Sequence, residues 1–305
     1  MRGITPVSFT LHARDFKRFA AALGASFERY GFAIVCDHDL DQEGIDAALA
    51  DAKTLFALPE DIKRTYISGQ GGQRGYVPFG TETAKGARFH DLKEFWHVGR
   101  DLPPDHPCAA SMPPNVWPDE VPGFKAHQTW LFDALDRLGA RILEAIAHYL
   151  GLPRDTFGAA IEEGNSILRL LHYPPVAGDG PHDRAGAHED INTITLLLGA
   201  EEAGLEIRDR DGSWLPINAP PGAVVCNIGD MLSRAACGRL PSTTHRVVNP
   251  APERRGVARY STPFFLHFAP DHVIAPLPGS DLSRAQPPIT ADEFLKQRLR
   301  EIKLL

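Results

Sequence analysis

The sequence predicts an α+β protein with a mainly β core, in which a helix-rich N-terminal region packs on a cupin-like double-stranded β-helix, or jelly roll. Apolar residues recur at helical spacing through much of residues 1–165. Short β-branched runs separated by turns dominate residues 166–270, and a double-sheet jelly roll accounts for that number of strands. Residues 271–305 add a loop and a last helix, so we expect a single domain over residues 1–305.

Three long amphipathic helices are predicted in the N-terminal region. They cover residues 15–30, which Gly31 ends, residues 42–58, which Pro59 closes, and residues 124–150, which carry the longest apolar stripe. Shorter elements are a strand at 4–9, a strand at 32–36, a helix at 60–66, a strand at 91–98 and a helix at 154–163. The Gly-rich residues 69–78 lack the Gly-Lys-Ser/Thr ending of a phosphate loop and are expected at the mouth of the site.

The β-rich part begins with a strand at 166–173. A hairpin is predicted around Asp211-Gly212, which is a strong two-residue turn signal, between strands at 205–208 and 214–217. The proline-rich residues 101–123 are expected to be a connector rather than a linker between domains. Thr290 and Glu293 form the pattern of a capping box and predict a final helix from there to residue 302.

Composition narrows the possible partners. The chain has 305 residues, 43% of them hydrophobic, and a net charge of −7, which argues against nucleic-acid binding and favours a small-molecule partner. No stretch approaches the roughly 18 apolar residues of a membrane helix, and the start lacks the apolar segment of a signal peptide. Four cysteines without Cys-x-x-Cys spacing predict free thiols. We therefore expect a cytoplasmic protein that binds neither membranes nor nucleic acid.

Residues 187–198 carry the clearest sign of a binding site. They are predicted to form a strand, in which His188 and Asp190 project to the same face because alternate side chains do so. An imidazole and a carboxylate together suit Fe(II), Mn(II) or Zn(II). The best third ligand is His245, at the head of another β-branched run. Two histidines and one carboxylate form the facial triad of non-haem iron sites.

A second pair of residues predicts an anion site. Arg259 and Ser261 are also two residues apart in a β-branched and aromatic run, so their side chains share one face of a strand. The planar guanidinium fork and the hydroxyl donor together form a grip for a carboxylate.

These motifs resemble one enzyme family. His188-Glu189-Asp190, His245 and Arg259-Tyr260-Ser261 are similar, in this order, to the His-x-Asp, distal His and Arg-x-Ser pattern of Fe(II)/2-oxoglutarate-dependent oxygenases related to isopenicillin N synthase and the plant dioxygenases. Leu170–Pro175 resembles that branch's Asn-Tyr-Tyr-Pro-Pro stretch, residues 222–230 its Gly-x-x-x-x-Asn-x-Gly-Asp stretch, and residues 91–98 its Lys-Glu strand. Leu171 departs from the pattern, since plant members carry Asn there.

The resemblance implies a catalytic domain with a jelly-roll core, and a metal site formed by His188, Asp190 and His245. It implies Fe(II), with 2-oxoglutarate and O2 as cosubstrates, and a far carboxylate of 2-oxoglutarate held by Arg259 and Ser261 with Tyr173 as a further donor. A small molecule would then be hydroxylated, desaturated or cyclised while succinate and CO2 are released. No catalytic residue is expected beyond the metal ligands, and the enzyme would be a monomer or a homodimer.

Two alternatives to this function remain open. An isopenicillin N synthase-like oxidase would use the Arg-x-Ser pair for a substrate carboxylate and need no 2-oxoglutarate. A jelly roll could also bind a metal and a small acid without turnover. Residues that we expect to reach the substrate pocket are Arg74, Tyr76, Arg88 and Phe264, with His182 near its mouth, and the two arginines favour an acidic or amino-acid substrate.

Overall fold

Two β-sheets lie face to face in the computed structural model, which describes residues 3–68, 73–82, 90–175, 184–198 and 204–301. The strands, in chain order, are β1 (Val7–Ser8), β2 (Phe32–Cys36), β3 (Gly75–Val77), β4 (Glu94–Gly99), β5 (Ile167–Tyr173), β6 (Ala185–His188), β7 (Ile194–Leu198), β8 (Leu205–Arg208), β9 (Trp214–Pro216), β10 (Val224–Ile228), β11 (His245–Val247), β12 (Arg259–Leu266), β13 (Val273–Ile274) and β14 (Ile289–Thr290). The major sheet has the order β1-β2-β10-β7-β12-β5-β4-β3, and the minor sheet has the order β6-β11-β8-β9. This arrangement fits the predicted jelly-roll core.

Apolar clusters hold the two sheets together. Phe95 of the major sheet packs in one cluster with Ala185 and Val247 of the minor sheet. A second cluster joins Ile34 of the major sheet to Ile207 of the minor sheet. Because β6, β8 and β11 are fixed in this way, the ends of the minor-sheet strands have defined positions above the major sheet.

The helices are α1 (Thr10–Arg14), α2 (Phe16–Tyr30), α3 (Gln42–Phe56), α4 (Glu60–Arg64), α5 (Phe124–Tyr149), α6 (Gly158–Ile161), α7 (Asp230–Ala235) and α8 (Ala291–Glu301). Helices α2 and α5 pack on the outer face of the major sheet and α3 packs on α5, whereas α7 and α8 pack on the small β13–β14 sheet. Helix α5 buries one face, and its Phe132 ring lies 5.0 Å from the ring of Phe264 in β12, edge to face. Fully buried side chains such as Leu135 each stabilise the fold by roughly 1.5–3 kcal/mol. Among the described residues, no helix is long and apolar enough to cross a membrane.

Local signals explain where several helices begin and end. The carboxylate of Asp15 accepts a hydrogen bond from the backbone N of Arg18 at 3.1 Å and caps α2, whose end is the left-handed Gly31 (φ 68°). The predicted capping box at α8 is confirmed, because the backbone N of Glu293 donates to Oγ1 of Thr290 at 3.2 Å and the Glu293 carboxylate accepts from Thr290.

Most predicted elements are confirmed, although several are shorter than predicted. The three long helices and the β8–β9 hairpin are present, and residues 101–123 contain no helix or strand. The predicted strand at 4–9 is only Val7–Ser8, because β2 offers pairing partners to those two residues alone. The helix predicted at 154–163 is only Gly158–Ile161, because residues 154–157 form tight turns with hydrogen bonds from Thr156 to Pro153 and from Gly158 to Asp155.

Candidate metal centre and cosubstrate site

Two histidines from adjacent strands of the minor sheet face each other. His188 ends β6 and His245 begins β11, and the two residues are antiparallel partners whose ring centroids lie 4.4 Å apart. Oδ1 of Asp190 lies 3.8 Å from Nε2 of each histidine. The structure therefore brings together the three residues that the sequence singles out as metal ligands, with their ligand atoms within 4.8 Å of one another.

The backbone around Asp190 differs from the prediction. Instead of one strand through residues 187–198, β6 ends at His188, β7 begins at Ile194, and Asp190 lies in the turn between them. The reason is topological: β6 belongs to the minor sheet and β7 to the major sheet, so the chain must cross between sheets here. Nδ2 of Asn192 fixes the turn by donating to the carbonyl oxygen of Ile194 at 2.7 Å.

Hydrogen bonds to the backbone orient both imidazoles. Nδ1 of His188 lies 2.8 Å from the carbonyl oxygen of Gly186, and Nδ1 of His245 lies 3.1 Å from that of Thr243. A carbonyl oxygen can only accept, so each Nδ1 carries a proton, and each Nε2 is the ring nitrogen that faces Asp190. Such bonds are typical of metal-binding histidines, in which they fix the tautomer and the ring.

Two hydrogen bonds fix the carboxylate of Asp190 through one of its oxygens. Its Oδ2 accepts hydrogen bonds from Oγ1 of Thr195 at 2.6 Å and from Nδ2 of Asn227 at 2.8 Å, which leaves Oδ1 directed at the histidines. Burial would raise the pKa of Asp190, but His245, His188 and these two hydrogen bonds lower it below its ordinary value. The carboxyl group is therefore ionised near pH 7. Thr195 and Asn227 were not identified from the sequence as parts of the site.

The donor set suits one divalent ion. Burial, followed by the influence of His245, lowers the pKa of His188 to about 4, so this imidazole is neutral near pH 7. Two donors that each lie about 2.0–2.2 Å from a shared ion are at most about 4.4 Å apart. The 3.8 Å distances from Asp190 fall within that limit and exceed a hydrogen bond. Two nitrogens and one carboxylate oxygen leave coordination positions open for a cosubstrate.

Arg259 and Ser261 lie buried in the same interior, at 3% and 5% exposure. Arg259 is the cross-strand partner of Tyr173, and its Cζ lies 5.0 Å from the centre of the Tyr173 ring. Tyr173 packs with Ala185 and Val247, which belong to the two strands that carry the histidines. The structure thus places the predicted carboxylate grip and the predicted metal ligands between the same two sheets.

Leu171, the departure from the family pattern, is the cross-strand partner of Ser261 and packs in the same cluster as Tyr173. An asparagine at this position would present an amide to the interior. The leucine makes this part of the wall apolar.

A second wall of the interior was not predicted. The guanidinium of Arg169 lies between two aromatic rings, 4.3 Å from the centre of Phe95 and 5.3 Å from that of Phe265. Its Nε donates to Nε2 of His97 at 2.6 Å. Phe265 is the cross-strand partner of Thr195, so this wall adjoins the residue that supports Asp190. Side chains alternate between the two faces of a strand, so the prediction that Tyr173 of β5 faces the interior would also have placed Arg169, four residues earlier, on that face.

Two residues predicted to reach the pocket do not. Phe264 packs on Phe132 of α5. It lies three residues after Ser261 in β12, and residues an odd number apart in a strand point to opposite faces. The Tyr76 hydroxyl donates to the carboxylate of Glu60 at 3.0 Å on the helix side of the sheet. Both predictions are wrong.

Of the three remaining residues predicted to lie at the pocket or its mouth, only Arg74 is among the described residues. Arg74 is buried, and its guanidinium lies against Gly99 at the end of β4. Arg88 and His182 lie outside the described residues.

Comparisons with known proteins cover both parts of the chain. Residues 6–120 match the family model described as the N-terminal region of non-haem dioxygenases in morphine synthesis, and residues 164–268 match that of the 2OG-Fe(II) oxygenase superfamily. A 2-oxoglutarate-Fe(II) type oxidoreductase of Emericella nidulans is 33% identical over 286 residues, which cover 89% of this chain and 81% of the relative. A proline hydroxylase of Petromyces alliaceus is 33% identical over 81% of this chain and 80% of its own length.

Solved structures share the fold over the whole chain. A putative 2OG-Fe(II) oxygenase family protein from Caulobacter crescentus has a TM-score of 0.92 and 62% identity, covering 98% of this chain and 99% of its own. A full-length Neurospora crassa protein, solved in complex with alpha-KG and thymine, has a TM-score of 0.87 and 27% identity, covering 97% of this chain and 96% of its own.

Proposed function

This chain belongs to the 2OG-Fe(II) oxygenase superfamily, and from that premise we propose that His188, Asp190 and His245 bind Fe(II) while Arg259, Ser261 and Tyr173 bind 2-oxoglutarate. The enzyme is a non-haem Fe(II)- and 2-oxoglutarate-dependent dioxygenase that uses O2 to oxidise a small molecule. The family resemblance seen in the motifs is confirmed. The comparisons favour this function over an oxidase without 2-oxoglutarate and over a non-catalytic sensor.

One observation carries the assignment of residues. Two imidazole nitrogens and one ionised carboxylate oxygen converge between the sheets, and a buried guanidinium lies on the neighbouring wall of the same interior. Bound Fe(II) supplies the oxidising chemistry, coupled to the conversion of 2-oxoglutarate and O2 to succinate and CO2.

The protein's own residues position the reactants. Thr195 and Asn227 keep Oδ1 of Asp190 towards the ion, and the bonds from Nδ1 keep both imidazoles in the ligating orientation. The guanidinium of Arg259 would hold one end of the cosubstrate, since a planar guanidinium fork binds carboxylates strongly. Burial of this grip strengthens the ion pair, since water does not compete for it.

The test of this function is succinate formation by the purified protein. With Fe(II), 2-oxoglutarate and O2 we expect slow release of succinate even without a prime substrate, and none when any of the three is omitted. Liquid chromatography coupled to mass spectrometry measures the product. A protein that binds the metal but forms no succinate would contradict the proposed function and support one of the two alternatives.

We further infer that the prime substrate is a planar small molecule with hydrogen-bonding groups. Arg169 supports this, because its guanidinium lies between the rings of Phe95 and Phe265 beside the residues that support Asp190. Flat, polar rings stack on such aromatic walls and would accept a hydrogen bond from Nη2 of Arg169, since its Nε and Nη1 donate to His97 and Glu82. The Neurospora crassa protein in complex with thymine is a relative with a ligand of this class.

A thermal-shift screen with Mn(II) and 2-oxoglutarate present tests this inference. We expect planar heterocycles with amide groups to raise Tm more than small carboxylic acids, which the sequence alone favours. In Arg169→Met the Tm increase by such a compound is expected to disappear, while that by 2-oxoglutarate persists. An equal response of Arg169→Met and the unmodified protein would contradict the role of Arg169.

We also propose that the chain forms one catalytic domain related to isopenicillin N synthase, and that it works in the cytoplasm as a monomer or a homodimer. The two family models that meet on one chain support the first point. The four cysteines, all free thiols, support the location, since disulfides are rare in that compartment. Size-exclusion chromatography with light scattering measures the oligomeric state.

A further inference from the structure

Strand β6 carries His188 at the edge of the minor sheet. It has four residues, pairs only with β11 among the described strands of that sheet, and its register with β11 is irregular between His245 and Val247. The side chain of His188 is 37% exposed, whereas that of His245 is 9% exposed. Sheet pairing therefore fixes His188 less firmly than His245, and contacts on the outer side of β6 matter for its position.

Asp91 provides such a contact. Its Oδ1 accepts a hydrogen bond from the backbone N of Gly186 in β6 at 3.1 Å. The carbonyl oxygen of Gly186 in turn accepts the hydrogen bond from Nδ1 of His188 at 2.8 Å. A single residue of β6 thus links the carboxylate of Asp91 to the imidazole, and a shift of this residue would rotate the ring.

Lys93 fixes that carboxylate. Nζ of Lys93 lies 2.8 Å from Oδ2 of Asp91 and 2.7 Å from Oε2 of Glu82, and the Lys93 and Asp91 side chains are each 8% exposed. Burial would lower the pKa of Lys93, but Glu82 and Asp91 raise it above its ordinary value, so the ammonium stays charged. Glu82 also accepts from Nη1 of Arg169 at 3.2 Å. The ion-pair network therefore extends from the pocket wall to β6.

From these contacts we propose that Asp91 and Lys93 are positioning residues, which hold β6 so that Nε2 of His188 faces the metal. The proposal rests on the assignment of His188 as a ligand. It gives a role to the Asp-x-Lys sequence that precedes β4. It also means that a substrate that binds Arg169 acts on the same network that orients a metal ligand.

The chain offers a matched control on the other face of the major sheet. Nζ of Lys63 lies 2.6 Å from Oε2 of Glu94, and both side chains are buried. Oε1 of Glu94 binds Nδ1 of His172, whose ring stacks on Phe56 of α3. Loss of this Lys-Glu pair removes a comparable buried interaction on the helix side, away from β6.

The test is the dissociation constant of Mn(II), measured by calorimetry on the metal-free protein, with circular dichroism to confirm folding. We expect Asp91→Ala to weaken binding by about 10-fold or more, the usual effect of removing a residue that supports a ligand. Asp91→Asn keeps an oxygen acceptor for Gly186 and retains most of the affinity. Lys63→Met lowers Tm but leaves the dissociation constant within about two-fold, because distant sites act independently.

One result would overturn the positioning role, and a different result would overturn the metal site on which it rests. If His188→Ala abolishes Mn(II) binding while Asp91→Ala binds as well as Lys63→Met, the positioning role is wrong and the metal site stands. If His188→Ala binds Mn(II) like the unmodified protein, the proposed metal site itself is wrong. If Asp91→Ala does not fold, Lys93→Met takes its place in the test. Weaker Mn(II) binding in Lys93→Met than in Lys63→Met, restored in Lys93→Arg, supports the positioning role. Equal Mn(II) binding in Lys93→Met and Lys63→Met overturns it.

Discussion

His245→Ala is expected to lower the affinity for Fe(II) or Mn(II) by more than about 100-fold, since the loss of a mere supporting residue already costs about 10–100-fold. Succinate formation from 2-oxoglutarate should fall to background. The reason is geometric: with His245 removed, only His188 and Asp190 remain of the three side chains whose ligand atoms converge. Calorimetry with Mn(II) and chromatographic detection of succinate measure the two effects.

His38→Ala is a suitable control for this substitution. The ring of His38 binds the carbonyl oxygen of Gly222 through Nε2, at 2.6 Å, and is not part of the metal-binding group. We expect it to bind the metal like the unmodified protein. Equal metal affinity in His245→Ala and His38→Ala would contradict the assignment of the ligands.

Arg259→Leu is expected to raise KM for 2-oxoglutarate by at least about 30-fold while metal affinity stays unchanged. Truncation of one partner of a buried, hydrogen-bonded charge pair costs about 2–5 kcal/mol, and about 2 kcal/mol corresponds to that factor. Arg259 is 3% exposed, so water cannot replace it as a partner of the carboxylate. Steady-state succinate kinetics at saturating Fe(II) measure KM.

Two milder substitutions sharpen this prediction. Arg259→Lys keeps the charge but loses the planar fork, so its KM should lie between those of the unmodified protein and Arg259→Leu. Ser261→Ala removes one neutral donor, which is worth about 0.5–1.5 kcal/mol, and should have the smaller effect. An unchanged KM in Arg259→Leu would show that 2-oxoglutarate binds elsewhere.

Residue type and spacing were enough to single out three side chains whose ligand atoms the structure brings together, because few side chains can bind iron and they stand at recognisable distances along the chain. The backbone that holds them was not predictable in the same way. Asp190 lies in a turn between two sheets, and a local pattern cannot show that β6 and β7 belong to different sheets.

Supporting residues were missed for a related reason. Asn227 meets Asp190, and Asp91 meets Gly186, only because segments that are distant in sequence lie side by side. Thr195 meets Asp190 only because the chain turns between β6 and β7. The error at Phe264 was avoidable: it is three residues from Ser261, and alternation places such residues on opposite faces of a strand.

The most direct test of the central claim is a crystal structure of the protein grown without oxygen in the presence of Mn(II) and 2-oxoglutarate. We predict one ion bound by Nε2 of His188, Nε2 of His245 and Oδ1 of Asp190, with the far carboxylate of 2-oxoglutarate against Arg259 and Ser261. An ion bound by other residues, or a 2-oxoglutarate carboxylate away from Arg259, would contradict the account.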